Sequence, residues 1–222
     1  MYEPYLLVTK TMFPKAKHVV DRFHCTTYIM DALDNIRIRL QKLYGDKSKE
    51  YKLLKNKKNV SLLRKYSNDI NWWLFTKRYK NGHMVDVLPV NILDDILKIS
   101  NDLMEGYYLK EEFLDIVHHY NQIDVEKQIT KWISKCIEKN IPEFVESAGT
   151  ISRWKEYILN SFIDDRYSNG YTEGINNKIK VIKRIAFGYK SFELFRERIL
   201  YIFNGKISES VKRKMTSKSK NS

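Results

Sequence analysis

Three residue types that punctuate or staple a chain are scarce in this sequence. It has two cysteines, four prolines and eight glycines in 222 residues. Cys25 and Cys136 stand 111 positions apart with no Cys-x-x-Cys pair or Cys/His cluster near them, so neither a structural zinc site nor a disulfide framework is supported. Two buried thiols in a reducing compartment are the expectation. So little glycine and proline excludes a collagen-like or loop-rich chain and a many-turned all-β fold. Long hydrophobic runs are missing too. No stretch of about 18 apolar residues occurs, which argues against a transmembrane helix. Met1-Tyr2-Glu3-Pro4-Tyr5 lacks the basic-then-apolar order of a signal peptide. A soluble, cytoplasmic protein with no membrane partner is expected.

What is present in excess is positive charge. Forty Lys+Arg oppose 27 Asp+Glu, a formal net charge of +13, and the sequence pI is near 9.5. A polyanionic partner follows, nucleic acid first and an anionic membrane surface second. The membrane reading is weak, because the basic faces do not sit opposite a separate Trp/Leu-rich face. The excess is local. Lys42–Tyr66 carries nine Lys/Arg against two acids, and Glu173–Ser222 carries thirteen against four. A hydrophobic fraction of 43%, with 13% aromatics, supplies a core. A chain of this length buries roughly 70% of its unfolded surface, as one domain or one domain with an insertion.

Tyr2 to Thr11 reads as a short helix broken by Phe13-Pro14. Val19-Val20 is a β-branched pair, so Lys17–Phe23 reads as a strand that carries Asp21 to its C-terminal end. Unpaired edges on that strand would make the isolated chain prone to aggregate. From Thr26 to about Phe162 the apolar spacing is helical. Ile29, Leu33, Ile36 and Leu40 recur at four, three and four, and Ile92, Ile96, Ile99 and Leu103 repeat the theme, as do Ile129, Trp132, Ile133, Cys136 and Ile137. Asn140-Ile141-Pro142 marks a helix boundary. Lys55-Asn56-Lys57-Lys58-Asn59 is a poor helix centre, read either as a solvated loop or as an arm whose Lys55, Lys57 and Lys58 contact phosphates. Trp72, Trp73, Phe75 and Tyr79, with Lys77 and Arg78 among them, read either as core or as a platform for stacked bases. Arg166–Gly170 reads as a turn, a long amphipathic helix follows from about Thr172, and the Ser- and Lys-rich tail after Gly205 reads as disordered.

In that helix Glu173, Asn177, Lys180 and Arg184 share one face, and Ile175, Ile179, Ile182 and Ala186 fall about 180° away. Two readings of Glu173 are open. A carboxylate in a first helical turn favours the helix dipole by roughly 0.3–1 kcal/mol. The alternative is a divalent-metal ligand, with Asn177, Lys180 and Arg184 following a phosphate backbone and Asn176 and Lys183 beside them.

Ser168-Asn169-Gly170-Tyr171-Thr172-Glu173-Gly174-Ile175-Asn176-Asn177-Lys178, continuing through Lys180, Lys183 and Arg184 to Ala186-Phe187-Gly188-Tyr189, resembles the C-terminal signature of bacterial insertion-sequence transposases of the ISL-three group. Phe13-Pro14-Lys15-Ala16-Lys17-His18-Val19-Val20-Asp21-Arg22-Phe23-His24 resembles a second signature of that group, a strand ending in Asp-x-Phe-His. The resemblance covers nearly the whole chain except the basic tail. It implies a DDE-class enzyme with an RNase H-like catalytic domain. In such enzymes three carboxylates hold two divalent metals, Mg²⁺ or Mn²⁺, that cleave and join DNA. The third carboxylate maps onto Glu173. Asp21 and His24 map onto an Asp-x-x-His element, with Asp21 either a metal ligand or one half of a brace. The implied fold is mainly α, a remnant of an RNase H-like α/β domain with a large all-helical insertion. Its segments are 1–24 (end of the catalytic core), 25–163 (insertion), 164–204 (catalytic helix region) and 205–222 (basic tail). Implied partners are DNA, as transposon ends and target, and a full-length transposase or a second copy, in a bacterial, nucleoid-associated setting. The sequence departs from the family at its start. The first catalytic Asp is absent and the second is expected immediately before Met1. A C-terminal fragment that holds metal weakly and does not cut or join DNA alone is therefore expected. The competing expectation is a non-catalytic, basic nucleic-acid-binding or transposition-regulating protein.

Overall fold

The computed structural model describes residues 3–80, 82–119, 122–163 and 170–204. They belong to two units, residues 1–167 and 168–222. Nearly all regular structure in them is helical.

The larger unit is organised by the stripe already visible on α2 (Arg22–Tyr44). Cys25, Ile29, Ala32, Leu33, Ile36 and Leu40 are buried along its length. They pack on α6 (Asn101–His119) and α8 (Pro142–Leu159), and α7 (Gln122–Lys139) closes the group against α6 and α8. Trp132, Phe113 and Phe144 fill the centre, all at 0% exposure. Full burial of side chains this size stabilises by roughly 1.5–3 kcal/mol each. At Gly106 of α6 a Cβ would come within 2.7 Å of Ile36 and 3.1 Å of Phe144, so this glycine is what lets α6 approach both neighbours. The α7–α8 boundary is where the sequence puts it. Asn140 takes a left-handed φ of 51°, its amide returns to Cys136 O and Ile137 O, and Pro142 occupies the first turn of α8.

The basic stretch is helical rather than a loop. Asn56 ends α3 (Lys49–Lys55) and begins α4 (Lys57–Arg64), its Oδ1 accepting from the amides of Lys58 at 3.0 Å and Asn59 at 3.4 Å. One capping residue thus turns a poor helix centre into two short helices. The C-terminal end of α4 is held by Lys110 of α6, whose side chain has 0% exposure. Its ammonium donates to Leu63 O at 3.0 Å, to Lys65 O at 2.7 Å and to Glu111.

The expected strand at Lys17–Phe23 does not form. α1 (Glu3–Met12) stops before Phe13-Pro14 as expected, but residues 17–21 form neither helix nor strand, and α2 begins at Arg22. Asp21 caps that helix, Oδ1 accepting the Phe23 amide at 2.7 Å. The cap outweighs the β-branched preference of Val19-Val20. The segment docks instead on the end of α8, through Val20 N to Tyr157 O at 3.0 Å and Asn160 Nδ2 to His18 O at 2.8 Å. Nor is the stretch 25–163 all helical. β1 (Thr76–Lys80) and β2 (His83–Val87) form an antiparallel hairpin ahead of α5 (Pro89–Leu97). This hairpin is the whole sheet among the described residues, so no RNase H-like sheet is seen there.

The smaller unit contains α9 (Gly170–Ile185) and α10 (Phe192–Asn204), which pack on each other. Ile182 is buried and Ile175 and Ile179 are half-buried. Tyr189 packs at a tilt against Phe195, ring centres 4.9 Å apart, and the Lys178 ammonium lies 4.7 Å from the Phe203 ring centre. Phe187 and Gly188 take left-handed φ values of 51° and 102°, which end α9. The turn expected at Arg166–Gly170 lies, up to Asn169, outside the described residues, as does the tail from Gly205.

Candidate nucleic-acid interface

On α9 the two faces predicted from spacing are the two faces observed. Glu173, Asn176, Asn177, Lys180, Lys183 and Arg184 are all exposed, while Ile175, Ile179 and Ile182 turn inward. Glu173 sits in the first turn, and Lys183 and Arg184 in the last. Both placements agree with the helix dipole. The face carries one carboxylate, two amides and three cations in a row about 16 Å long, at 1.5 Å per residue from 173 to 184. Cations and amides at that pitch suit phosphate oxygens, which accept from both.

Asp21 and His24 come together at the start of α2. The Asp21 carbonyl accepts the His24 amide at 3.1 Å, and the His24 ring is exposed, with the Phe23 ring at 6.1 Å. A cavity of about 310 Å³ opens beside His24, lined by Glu3, Tyr28, Thr150, Arg153 and Trp154. Arg153 Nη2 and the Tyr28 hydroxyl both reach Thr150 Oγ1, at 3.3 Å each.

Next to this element His18 packs edge-on against Tyr157 at 5.2 Å and reaches Thr9 Oγ1 at 3.4 Å. Burial, and then the Lys10 charge, hold its imidazole below the ordinary 6.5. The folded state therefore resists a proton that the unfolded chain accepts. Its stabilising contribution is complete above about pH 6.5 and is lost as pH falls through the lower folded value. Melting temperature should thus fall between about pH 7 and 5, and by less in His18→Phe, as read by circular dichroism.

Lys55, Lys57 and Lys58 gather where α3 meets α4, and all three are exposed. Lys55 is engaged with Tyr51, its ammonium 3.1 Å from the hydroxyl and 5.1 Å from the ring centre. Lys57 and Lys58 line a cavity shared with Thr76 and Arg78 of β1. Composition gives no hint of that cavity. Asn81-Gly82, a hairpin-turn pair, is the one local signal for it.

A divalent-metal site needs several converging oxygens. Among the described residues no group of three or more His, Cys, Asp or Glu side chains could hold a metal ion. Asp21 already uses one oxygen on the Phe23 amide. The described donors of this chain do not make a metal site by themselves.

A family model described as a transposase, of the ISL-three DDE type, matches residues 1–199. The chain belongs to the ISL-three family of insertion-sequence transposases. Relatives agree over long stretches. The transposase for insertion sequence element IS1001 of Bordetella parapertussis is 24% identical over 92% of this chain and 46% of its own length. The transposase for insertion sequence element IS1557 of Mycobacterium tuberculosis is 33% identical over 43% of this chain and 21% of its own length. A Lactococcus lactis protein named an ATP-dependent protease is 32% identical over 56% of this chain and 38% of its own length. The ISL-three chain itself has no Gly-x-x-x-x-Gly-Lys-Ser/Thr phosphate loop. It spans less than half the length of these curated relatives. No solved structure matches it. Among the described residues no helix is long and apolar enough to cross a membrane.

Proposed function

We propose that this ISL-three chain works in DNA transposition by laying the exposed face of α9 along the DNA backbone, with Glu173 as its catalytic carboxylate. The observation that carries the reading is the division of α9 into an apolar face and a polar face of one carboxylate, two amides and three cations, within a transposase family. Asn169-Gly170-Tyr171-Thr172-Glu173-Gly174 keeps the Asn-Gly-x-x-Glu-Gly order in which the family places its third carboxylate. Lys180, Lys183 and Arg184 neutralise successive phosphates, and Asn176 and Asn177 donate to their oxygens. The catalytic segment keeps the RNase H-like assignment that the resemblance implies. Asp21 caps α2, so bracing the start of that helix, with His24 beside it, is its better-supported role.

A carboxylate held beside phosphates repels them unless a cation intervenes. Without divalent metal, Glu173→Gln should strengthen DNA binding about fivefold, from roughly 1 kcal/mol between unit charges 4 Å apart in water. Fluorescence anisotropy in EDTA reads this directly, and equal affinities would place Glu173 away from the DNA.

By itself the chain is proposed not to cut or join DNA. Two-metal phosphoryl transfer uses several carboxylates around Mg²⁺ or Mn²⁺, and the described donors do not supply them. Purified chain incubated with either metal and a duplex ending in terminal inverted repeats should give no joined product. Joining would overturn this part of the reading. A second reading, a non-catalytic regulator that binds DNA or a full-length transposase, draws on the exposed lysines of α3 and α4.

A further inference from the structure

Of the aromatic residues between α4 and α5, Tyr66 is buried and Trp72 packs against the core, but the others face solvent. Trp73 is 86% exposed, Phe75 60%, Tyr79 74% and Met84 61%. Strand alternation gives the hairpin two sides. Lys77, Tyr79, Met84 and Asp86 are exposed, with Tyr79 directly opposite Met84 and Lys77 opposite Asp86. Arg78, Val85, Thr76 and Val87 are half-buried on the other side. Trp73 is presented by local geometry rather than left loose. Trp72 is tied down through its indole N–H to Ser67 O at 3.0 Å, Asn71 Oδ1 accepts the Trp73 amide at 3.3 Å, and Asn71 O accepts the Leu74 amide at 3.2 Å.

On the inner side a cavity of about 420 Å³ lies between α4, β1 and α5. Lys57, Lys58 and Arg78 line it, and no acidic side chain does. Arg78 Nη2 donates to Asn59 Oδ1 at 2.8 Å, but its buried Nε has no hydrogen-bond partner. A buried guanidinium N–H without an acceptor is costly, and an anionic oxygen satisfies it.

Exposed aromatics alternating with cations, beside a cationic cavity, match a polyanion that also has flat apolar faces. A duplex hides its base faces, whereas an unpaired strand exposes them. We propose that the β1–β2 hairpin and the cavity under it bind unpaired DNA, with bases stacked on Trp73, Phe75 and Tyr79 and a phosphate held by Lys57, Lys58 and Arg78. The proposal rests on the reading that the chain acts on DNA, but not on the role given to α9.

The test is a titration of the full chain with a short oligothymidylate at low salt, read by tryptophan fluorescence. Trp132 is fully buried, Trp154 nearly so and Trp72 half-buried, which leaves Trp73 as the one fully exposed reporter of the four. Quenching is expected, and Trp73→Phe should remove most of it. Trp73→Ala should weaken binding about tenfold or more, and Tyr79→Ala several-fold. The double variant Lys57→Ala with Lys58→Ala should lower the slope of log affinity against log salt by about 0.7, the share of the one phosphate held there. An unchanged melting temperature of Trp73→Ala certifies its fold, as expected for so exposed a side chain. A Trp73→Ala chain that binds like the parent overturns the proposal. So does quenching by anionic vesicles but not by the oligonucleotide. Concentration-dependent self-association that Trp73→Ala abolishes, without quenching by DNA, overturns it too and assigns the patch to a second copy. The hairpin proposal is read from Trp73 quenching by an unpaired strand and the α9 reading from duplex affinity, so failure of one is separable from failure of the other.

Discussion

Lys110→Met is expected to lower the stability of the larger unit by about 3–5 kcal/mol, the usual consequence of removing one partner of a buried charged pair. The methylene stem fits methionine, so the loss is not one of volume. What disappears is the ammonium that satisfies Leu63 O, Lys65 O and the Glu111 carboxylate in a site with 0% exposure. It also lies 4.2 Å from the Tyr107 ring centre. Burial pulls the Lys110 titration down, and Glu111 opposes that pull. Glu111 in turn accepts the Ser67 amide at 3.0 Å, so the cluster pins the end of α4 and the turn after it. Urea unfolding followed at 222 nm should show the midpoint fall with little change in slope. A change below about 1 kcal/mol would mean that water replaces the ammonium at no cost, contrary to the burial observed.

Trp132→Ala is expected to lower stability by a similar amount, about 3–5 kcal/mol, for a different reason. The indole of α7 packs on Phe113 of α6 at 4.9 Å and on Phe144 of α8 at 6.4 Å, so its removal opens a cavity where three helices meet. Its N–H also donates to Leu109 O at 2.8 Å. Trp132→Phe separates the two contributions. Much of the packing stays, the hydrogen bond goes, and a loss of about 1–2 kcal/mol remains. Equal losses for Ala and Phe would show that the hydrogen bond, not the packing, dominates there.

Both sites show what a sequence discloses and what it hides. The helices of the larger unit are legible because Ile29, Leu33, Ile36 and Leu40 keep a strict helical spacing, and the same holds for Ile129, Trp132 and Cys136. Pro14 and Pro142 mark boundaries because proline lacks an amide to donate. Nothing in the sequence marks Lys110 as buried, since a lysine followed by Glu111 and Glu112 reads as solvated until the carbonyls around it are placed. Asn56 misleads because its capping capacity shows only when two helices meet on it. Val19-Val20 misleads for a related reason. A strand needs a partner, and the Asp21 cap commits the chain to a helix first. The hairpin escapes because Thr76–Lys80 carries three cations and a single aromatic rather than an apolar–polar alternation, which leaves Asn81-Gly82 as its only signature. The exposed face of α9 is fully legible, because spacing alone sets which side chains share a helix face.

For the chain to work as proposed, that face must meet the DNA backbone. The most direct measurement is the affinity of the full chain for a duplex between 50 and 200 mM salt, alone and with Lys180, Lys183 and Arg184 all changed to Glu. Log affinity should fall linearly with log salt, and the triple variant should flatten the slope by about 2.7, or 0.9 for each phosphate no longer neutralised. A flat response in the parent chain, or an unchanged slope in the triple variant, would contradict it.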